Sequence, residues 1–424
     1  MTSLQHALSQ PEVARVQRRT VGVLGGGVAL AGLGVTVGIT AGGLLAEDVA
    51  GTETAAGLGQ TAGVLGAAVL AVPLARISDS AGRRAGLAVG YAISLGGAVV
   101  TVAAAAWSSL PLLIAGLFLF GASAACGLQA RYAAADLALP ERRGRALSLV
   151  VWATTVGSVV GPNLAAPGAE LGDALGLPSL GGVFVLSAAV FAAVAVGFLL
   201  LLRPDPLLLA RRLGGQPAGP RPRRATGAAL RAVWAAPHGP LGLAAVVVAH
   251  SVMVGVMVMT PVHMGHAGGD EDAVLRLVGL VISVHVVGMY LFSPLVGMLV
   301  DRVGAPAVVA LGGLLLLLAA AVAGTAAPAD SVQLAAGLLL LGLGWSCGLI
   351  AGSALVTASV GADVRPTAQG GTDLLMGLGA ALAGVAGGPL LAVGGFGLVS
   401  AVSAGLVLPL VLVWAATARG QRPR

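Results

Sequence analysis

Residues 75–84 read Ala-Arg-Ile-Ser-Asp-Ser-Ala-Gly-Arg-Arg, and 222 positions further on residues 297–304 read Gly-Met-Leu-Val-Asp-Arg-Val-Gly. Both stretches set a small residue four positions before an Asp and a Gly three positions after it, as Ala75-x3-Asp79-x2-Gly82 and Gly297-x3-Asp301-x2-Gly304. Cys126-Gly127 recurs as Cys347-Gly348 at an offset of 221, so the chain reads as two related halves. Each short polar stretch lies between long apolar runs, and these decide the class. A bilayer core about 30 Å thick takes about 20 apolar residues of helix. Ten charge-free stretches reach that length: 21–46, 54–75, 85–130, 146–169, 174–202, 240–269, 277–300, 303–329, 331–362 and 374–418. The third is double and breaks at Ser108, Ser109 and Pro111; the last is double and breaks at Gly394 and Gly395. Twelve spanning helices are therefore expected, in an all-α membrane protein.

Composition excludes the other classes. Of the 424 residues, 57% are hydrophobic and only 9% charged, with a mean hydropathy of +0.97. Soluble domains carry about a quarter charged residues, so neither a soluble globule nor a disordered chain fits. The sequence pI near 10.5 is in the range of nucleic-acid binders, but only 15 residues are aromatic and no basic stripe is interleaved with them. Topology accounts for the charge instead. With the N-terminus inside, twelve spans put 21 of the 23 basic residues, all of them Arg, in inner loops and tails. Arg131 lies on the same side at the inner end of the fourth span, and Arg276 is the exception. Residues 1–19 lack an apolar core, so the run from Val21 is expected to stay in the mature chain. The expected location is the cell membrane, with both termini cytoplasmic and the lipid bilayer as the surrounding partner. Nothing in the pattern calls for nucleic acid or an oligomer, and a monomer is expected.

The longest inner connection, 203–239, is rich in Pro, Gly and Arg and reads as a linker. It divides the chain into an N-terminal six-helix bundle, 1–202, and a C-terminal one, 240–424. Paired six-helix halves around a midplane site form a transporter architecture. No stretch brings a nucleophile, a base and an orienting group together, so an enzyme is not expected, and no resident cofactor is called for.

The loop Ala75, Asp79, Gly82, Arg83, Arg84 resembles the signature between the second and third helices of the major facilitator superfamily, and Gly297, Asp301, Arg302, Gly304 resembles its C-half counterpart. Two positions depart from the pattern: Ala75 stands for the usual first Gly, and Ser80 for the usual basic residue after the Asp. The resemblance covers the whole chain and implies alternating access of two bundles to a central cavity. It implies a conformational gate at Asp79, Gly82, Arg83, Asp301, Arg302 and Gly304. In the fifth span, Gly157-x3-Gly161-Pro162 resembles the Gly-Pro signature of antiporters in that superfamily, while small-residue spacing alone is the pattern of close helix packing.

Substrate chemistry is concentrated in the seventh and eighth spans. Only eight Met occur in the chain, yet Met253, Met257, Met259 and Met264 fall within twelve residues, beside His250, His263 and His266. At about 100° per residue, His250, Met253 and Met257 share one face and Met259 the other. In the next span His285 and Met289 are again four apart, at a compatible depth. Neutral thioether and imidazole suit Cu(I), whereas Mg²⁺ and Ca²⁺ take carboxylates. Met253-x3-Met257 with His285-x3-Met289 looks like the paired motif of the CcoA-like copper importers of the same superfamily. That likeness implies Cu(I) import, with copper as cargo, through Met253, Met257, His285, Met289 and His250. Cys126 and Cys347 read either as a thiolate relay for Cu(I) or as small apolar residues. His263, Met264 and His266, at the outer mouth, read as a capture site or a solvated edge. The alternative reading is a proton-coupled transporter of a drug or small organic metabolite with the same fold; Glu47, Asp48 and Asp373 lie at helix ends, leaving His250 or His285 to carry the proton.

Overall fold

The computed structural model describes residues 10–50, 53–215, 225–268 and 271–420, and every regular element among them is helical. Three of the linker's seven Arg, Arg221, Arg223 and Arg224, and the tail residues Arg422 and Arg424 lie outside the described residues, as does Asp270. In chain order the helices are α1 (Pro11–Ala50), α2 (Glu53–Ala81), α3 (Arg83–Ala106), α4 (Leu110–Phe120), α5 (Ala122–Ala135), α6 (Arg143–Val160), α7 (Ala165–Ala174) and α8 (Ser179–Leu201). Two short helices follow, α9 (Pro206–Leu213) and α10 (Thr226–Ala235). Then come α11 (Gly239–Gly265), α12 (Glu271–Val286), α13 (Ser293–Val303), α14 (Ala305–Gly324), α15 (Ser331–Ser359), α16 (Arg365–Gly405) and α17 (Val407–Gly420).

Ten stretches are long and apolar enough to cross a bilayer, and the bent pair Pro140–Val160 with Ala165–Ala174 makes an eleventh. The last stretch, Arg365–Trp414, is itself two helices: Gly394 (φ −138°) and Gly395 (φ 66°) leave helical geometry where the sequence places the turn. This yields the twelve spans. The other expected break also stands, with Ser108 at φ 48° between α3 and α4, and Pro111 in the first turn of α4 where its missing N–H costs nothing.

The contacts divide the chain into two units. The first takes the described residues of Met1–Leu139, Ala153–Ala229 and Gly361–Leu374; the second takes Pro140–Trp152, Leu230–Val360 and Leu375–Arg424. Within the first unit, small residues let helices meet at backbone distance. A Cβ on Gly32 of α1 would lie 2.9 Å from the Cα of Gly157 on α6, and one on Gly161 would lie 2.7 Å from Thr36. The Gly157-x3-Gly161 spacing thus serves packing; the side chain of Pro162 lies outside the described residues. Tyr91, Phe120, Phe184, Phe191 and Phe198 fill the space between α3, α4 and α8, with ring centroids 5.1–6.0 Å apart.

In the second unit α15 is the most enclosed element, packed on α11, α12 and α14. A Cβ on Gly312 of α14 would lie 2.9 Å from the Cys347 Cβ, and in the first unit one on Gly90 of α3 would run into the Cys126 sulfur. The two cysteines, both free and buried, fill equivalent helix contacts in the two halves, as small apolar residues do.

Candidate functional site

Gly82 and Gly304 adopt nearly the same left-handed conformation, φ 92° and φ 90°. A Cβ is disfavoured there, so the recurring Gly is a backbone requirement. Asp301 Oδ1 accepts from the Gly144 N–H at 2.8 Å and Oδ2 from the Arg145 N–H at 2.9 Å, which caps the N-terminus of α6 where the helix dipole favours a carboxylate. At the same offset of 222, Pro366 and Thr367 stand at the start of α16. Pro366 has no N–H to donate. Asp79 takes other partners: the Arg211 guanidinium forms an ion pair with it and also donates to its carbonyl at 2.6 Å, and the Thr367 hydroxyl donates to Oδ2 at 3.5 Å.

Arg83 is not a solvated loop residue. It is 1% exposed; its Nε donates to Asp136 at 2.8 Å and its Nη2 to Gln369 Oε1 at 2.5 Å, and Arg365 reaches the same Asp136 at 3.6 Å. Arg302, by contrast, is exposed and lies outside the Asp301 cap. Sequence reading missed Asp205. Its carboxylate closes over Gly82, accepts from the Arg84 N–H at 2.8 Å, and caps α9 through Leu207 and Leu208, each at 3.0 Å. The Asp-Pro pair before an apolar run is a helix-start signal that would have found it.

In the second unit, the residues of the seventh and eighth spans are placed as follows. Met253 (4% exposed), His285 (0%) and Met289 (6%) are buried, while His250 and Met257 are half-buried. Trp345 of α15 donates its indole N–H to His250 Nδ1 at 2.8 Å and meets Tyr290 edge-on, with centroids 5.6 Å apart at 84°. The bond to Nδ1 puts the neutral ring's proton on Nε2. His285 Nδ1–H donates to the Leu338 carbonyl at 2.8 Å, and its Nε2 is buried without a hydrogen-bond partner. A π-helical turn, Val287–Leu291, follows. Pro294 explains it: the ring cannot bond back to the Tyr290 carbonyl, which instead accepts from the Ser293 hydroxyl at 2.7 Å.

The outer trio is split. His263 and Met264 are buried, His263 stacking on Phe396 with centroids 4.5 Å apart and its Nε2–H donating to the Ala326 carbonyl at 3.0 Å; His266 is exposed. His263 has its own protein partners, while His266 faces outward as an exposed side chain. Among the described residues no three His, Cys, Asp or Glu side chains gather as a metal-holding group. Met259 packs over Gly387 of α16, away from Met253, as the helical spacing requires.

Asp373 and Arg131 form an ion pair at 2.8 Å with side chains 2% and 1% exposed. Reading Asp373 as a helix-end carboxylate missed this. Both are lone charges at the edge of long apolar runs, and that shared feature was the available signal.

Comparison with known proteins fits this geometry. The sequence profile of the Major Facilitator Superfamily matches residues 24–277 and 273–424. The chain belongs to that superfamily and is a membrane-embedded secondary transporter with twelve helices in two related sets of six. It is 37% identical over 412 residues to the uncharacterized MFS-type transporter YddS of Bacillus subtilis (strain 168), covering 97% of this chain and 93% of that one. It is 29% identical over 296 residues to the riboflavin transporter RfnT of Brucella anthropi, covering 70% and 69%. Among solved structures, the human organic anion transporter MFSD10 (TETRAN) has the same fold, with a TM-score of 0.70 at 18% identity over 94% of this chain and 99% of that one.

Proposed function

We propose that this chain carries a small planar organic solute across the cell membrane by alternating access. The observation behind this reading is the trio of His250, Trp345 and Tyr290. Trp345, 3% exposed, fixes two half-buried polar rings from different helices through one hydrogen bond and one edge-to-face contact. Rings held this way offer stacking surface and polar groups with little ordering left to do on binding. The likeness to a riboflavin transporter supports the same chemistry. The moving bodies in this reading are 1–202 and 240–424 joined by 203–239, with both termini inside. A Cys introduced at Gly227 should then be labelled by an impermeant reagent in inside-out vesicles but not in intact cells.

A second reading, Cu(I) import, rests on one observation: the bare Nε2 of His285, held in its tautomer by Leu338 one helix turn from Met289. A second-shell carbonyl that fixes the ring is how metal-ligating His is commonly oriented. Met253, Met257 and His250 would complete the set in a different conformation, since Trp345 holds the His250 Nδ1 in this one. Uptake of radiolabelled riboflavin and of radioactive copper, by cells expressing the chain and by vector controls, separates the readings. Riboflavin movement above control without copper accumulation supports the first; copper accumulation alone supports the second.

A further inference from the structure

The carboxylates of the first unit are not equally compensated. Asp136 is held by both Arg83 and Arg365, and Asp79 by Arg211 and Thr367. Among the described residues Asp373 has one salt-bridge partner, Arg131, on Oδ1, while Oδ2 is buried with no hydrogen-bond partner. A buried carboxylate oxygen without a donor is costly, and binding a proton is the simplest relief. Arg131 is built to outlast the loss of its counter-charge. Its Nη1 donates to the Leu128 carbonyl at 2.7 Å, its Nη2 to the Tyr132 hydroxyl at 3.2 Å, and its guanidinium carbon lies 4.3 Å over the Tyr132 ring.

We propose that Asp373 is a proton-binding site that couples proton movement to transport. A proton from water on one side of the membrane binds Oδ2, the carboxylate becomes a neutral carboxyl, and the ion pair with Arg131 is lost. Release of that proton to the other side restores the carboxylate and the pair. The proposal rests on the chain being a secondary transporter and not on which solute it carries. The charged groups acting on Asp373 are Arg131 of α5, backed by Tyr132, and Arg83 of α3, which pairs with Asp136 just past α5; on α16 itself, Gln369 and Arg365 stand one and two turns earlier. Gln369, Arg365 and Asp373 follow one another at four-residue spacing, so one face of α16 carries all three. The first unit ends at Leu374, directly after Asp373, and α16 continues into the second unit. The ion pair is therefore the last charged hold that the first unit has on this helix. Neutralising it removes this hold where the helix leaves the first unit, while Arg365 on Asp136, Gln369 on Arg83 and Thr367 on Asp79 still tie its first turns.

The test uses the purified full chain in lipid nanodiscs without solute, so its outcome does not depend on the solute's identity. Infrared difference spectra on stepping from roughly pH 8 to roughly pH 5 should show a protonated carboxyl band. The band should be absent in Asp373→Asn, shifted in Asp373→Glu and retained in Asp79→Asn. A spin label on exposed Leu378→Cys, just past Asp373 on α16, should gain mobility on acidification, and should be mobile and pH-insensitive when Asp373→Asn is added. If Asp373→Asn does not fold, the band shift in Asp373→Glu decides. An absent wild-type band, an unchanged band in both Asp373 variants, or a label whose pH response survives Asp373→Asn would overturn the proposal.

Discussion

Gly370 of α16 lies against the Cβ of Ala75 on α2, and in the equivalent contact of the other half the sizes are exchanged: Ser148 of α6 lies against Gly297 of α13. The two pairs are related by the offset of 222. Where the loop signature loses its Gly, the facing helix gives up its side chain, so the departure at Ala75 keeps the close approach of the two helices.

That relationship predicts a size-swap rescue. Gly370→Ser alone should overpack the contact and destabilise by about 1–3 kcal/mol, seen as a lower thermal midpoint of the detergent-purified chain. Ala75→Gly with Gly370→Ser should recover most of the loss. A double variant no more stable than the single one would mean that the two residues do not share a contact that matters.

The two signature aspartates should respond unequally to neutralisation. Asp301→Asn keeps an acceptor for the start of α6 and should cost under about 1 kcal/mol, the usual scale of a cap. Asp79→Asn strips the buried Arg211 of its counter-charge, which is the more expensive kind of loss. Thermal midpoints should therefore fall further for Asp79→Asn, and solute exchange should slow in both. Equal midpoints would contradict the difference in partners.

For copper, Met257→Leu keeps size and apolarity while removing sulfur, and His285→Ala removes the bare imidazole nitrogen. If the chain carries Cu(I), each should reduce copper accumulation severalfold at matched membrane abundance. Wild-type accumulation in both would return these residues to packing around α15.

Much of the architecture is legible in the sequence because the bilayer imposes a length on each apolar run and polar breaks stand out against it. Gly394-Gly395 and Ser108-Pro111 were readable for that reason. The two signature loops were readable because a positive-φ Gly and a capping Asp are local requirements. What spacing could not reveal were contacts between distant segments: the Pro366 substitution that redirects Asp79 to Arg211, and the Asp373–Arg131 pair across 242 residues. Helical periodicity placed His250, Met253 and Met257 on one face, but whether that face meets a cavity or another helix is set by α15. Trp345, one of five scattered Trp, carried no local signal of its role.

The most direct test of the proposed function is solute counterflow in proteoliposomes, which needs neither a known direction of transport nor a driving ion. Vesicles loaded with unlabelled riboflavin and diluted into radiolabelled riboflavin should accumulate label when they contain the wild-type chain. Trp345→Leu, which removes both the indole N–H to His250 and the edge contact to Tyr290, should reduce accumulation to the level of protein-free vesicles. Accumulation in wild type no greater than in protein-free vesicles, or an undiminished signal in Trp345→Leu, would contradict the assignment of these three rings to a planar organic solute.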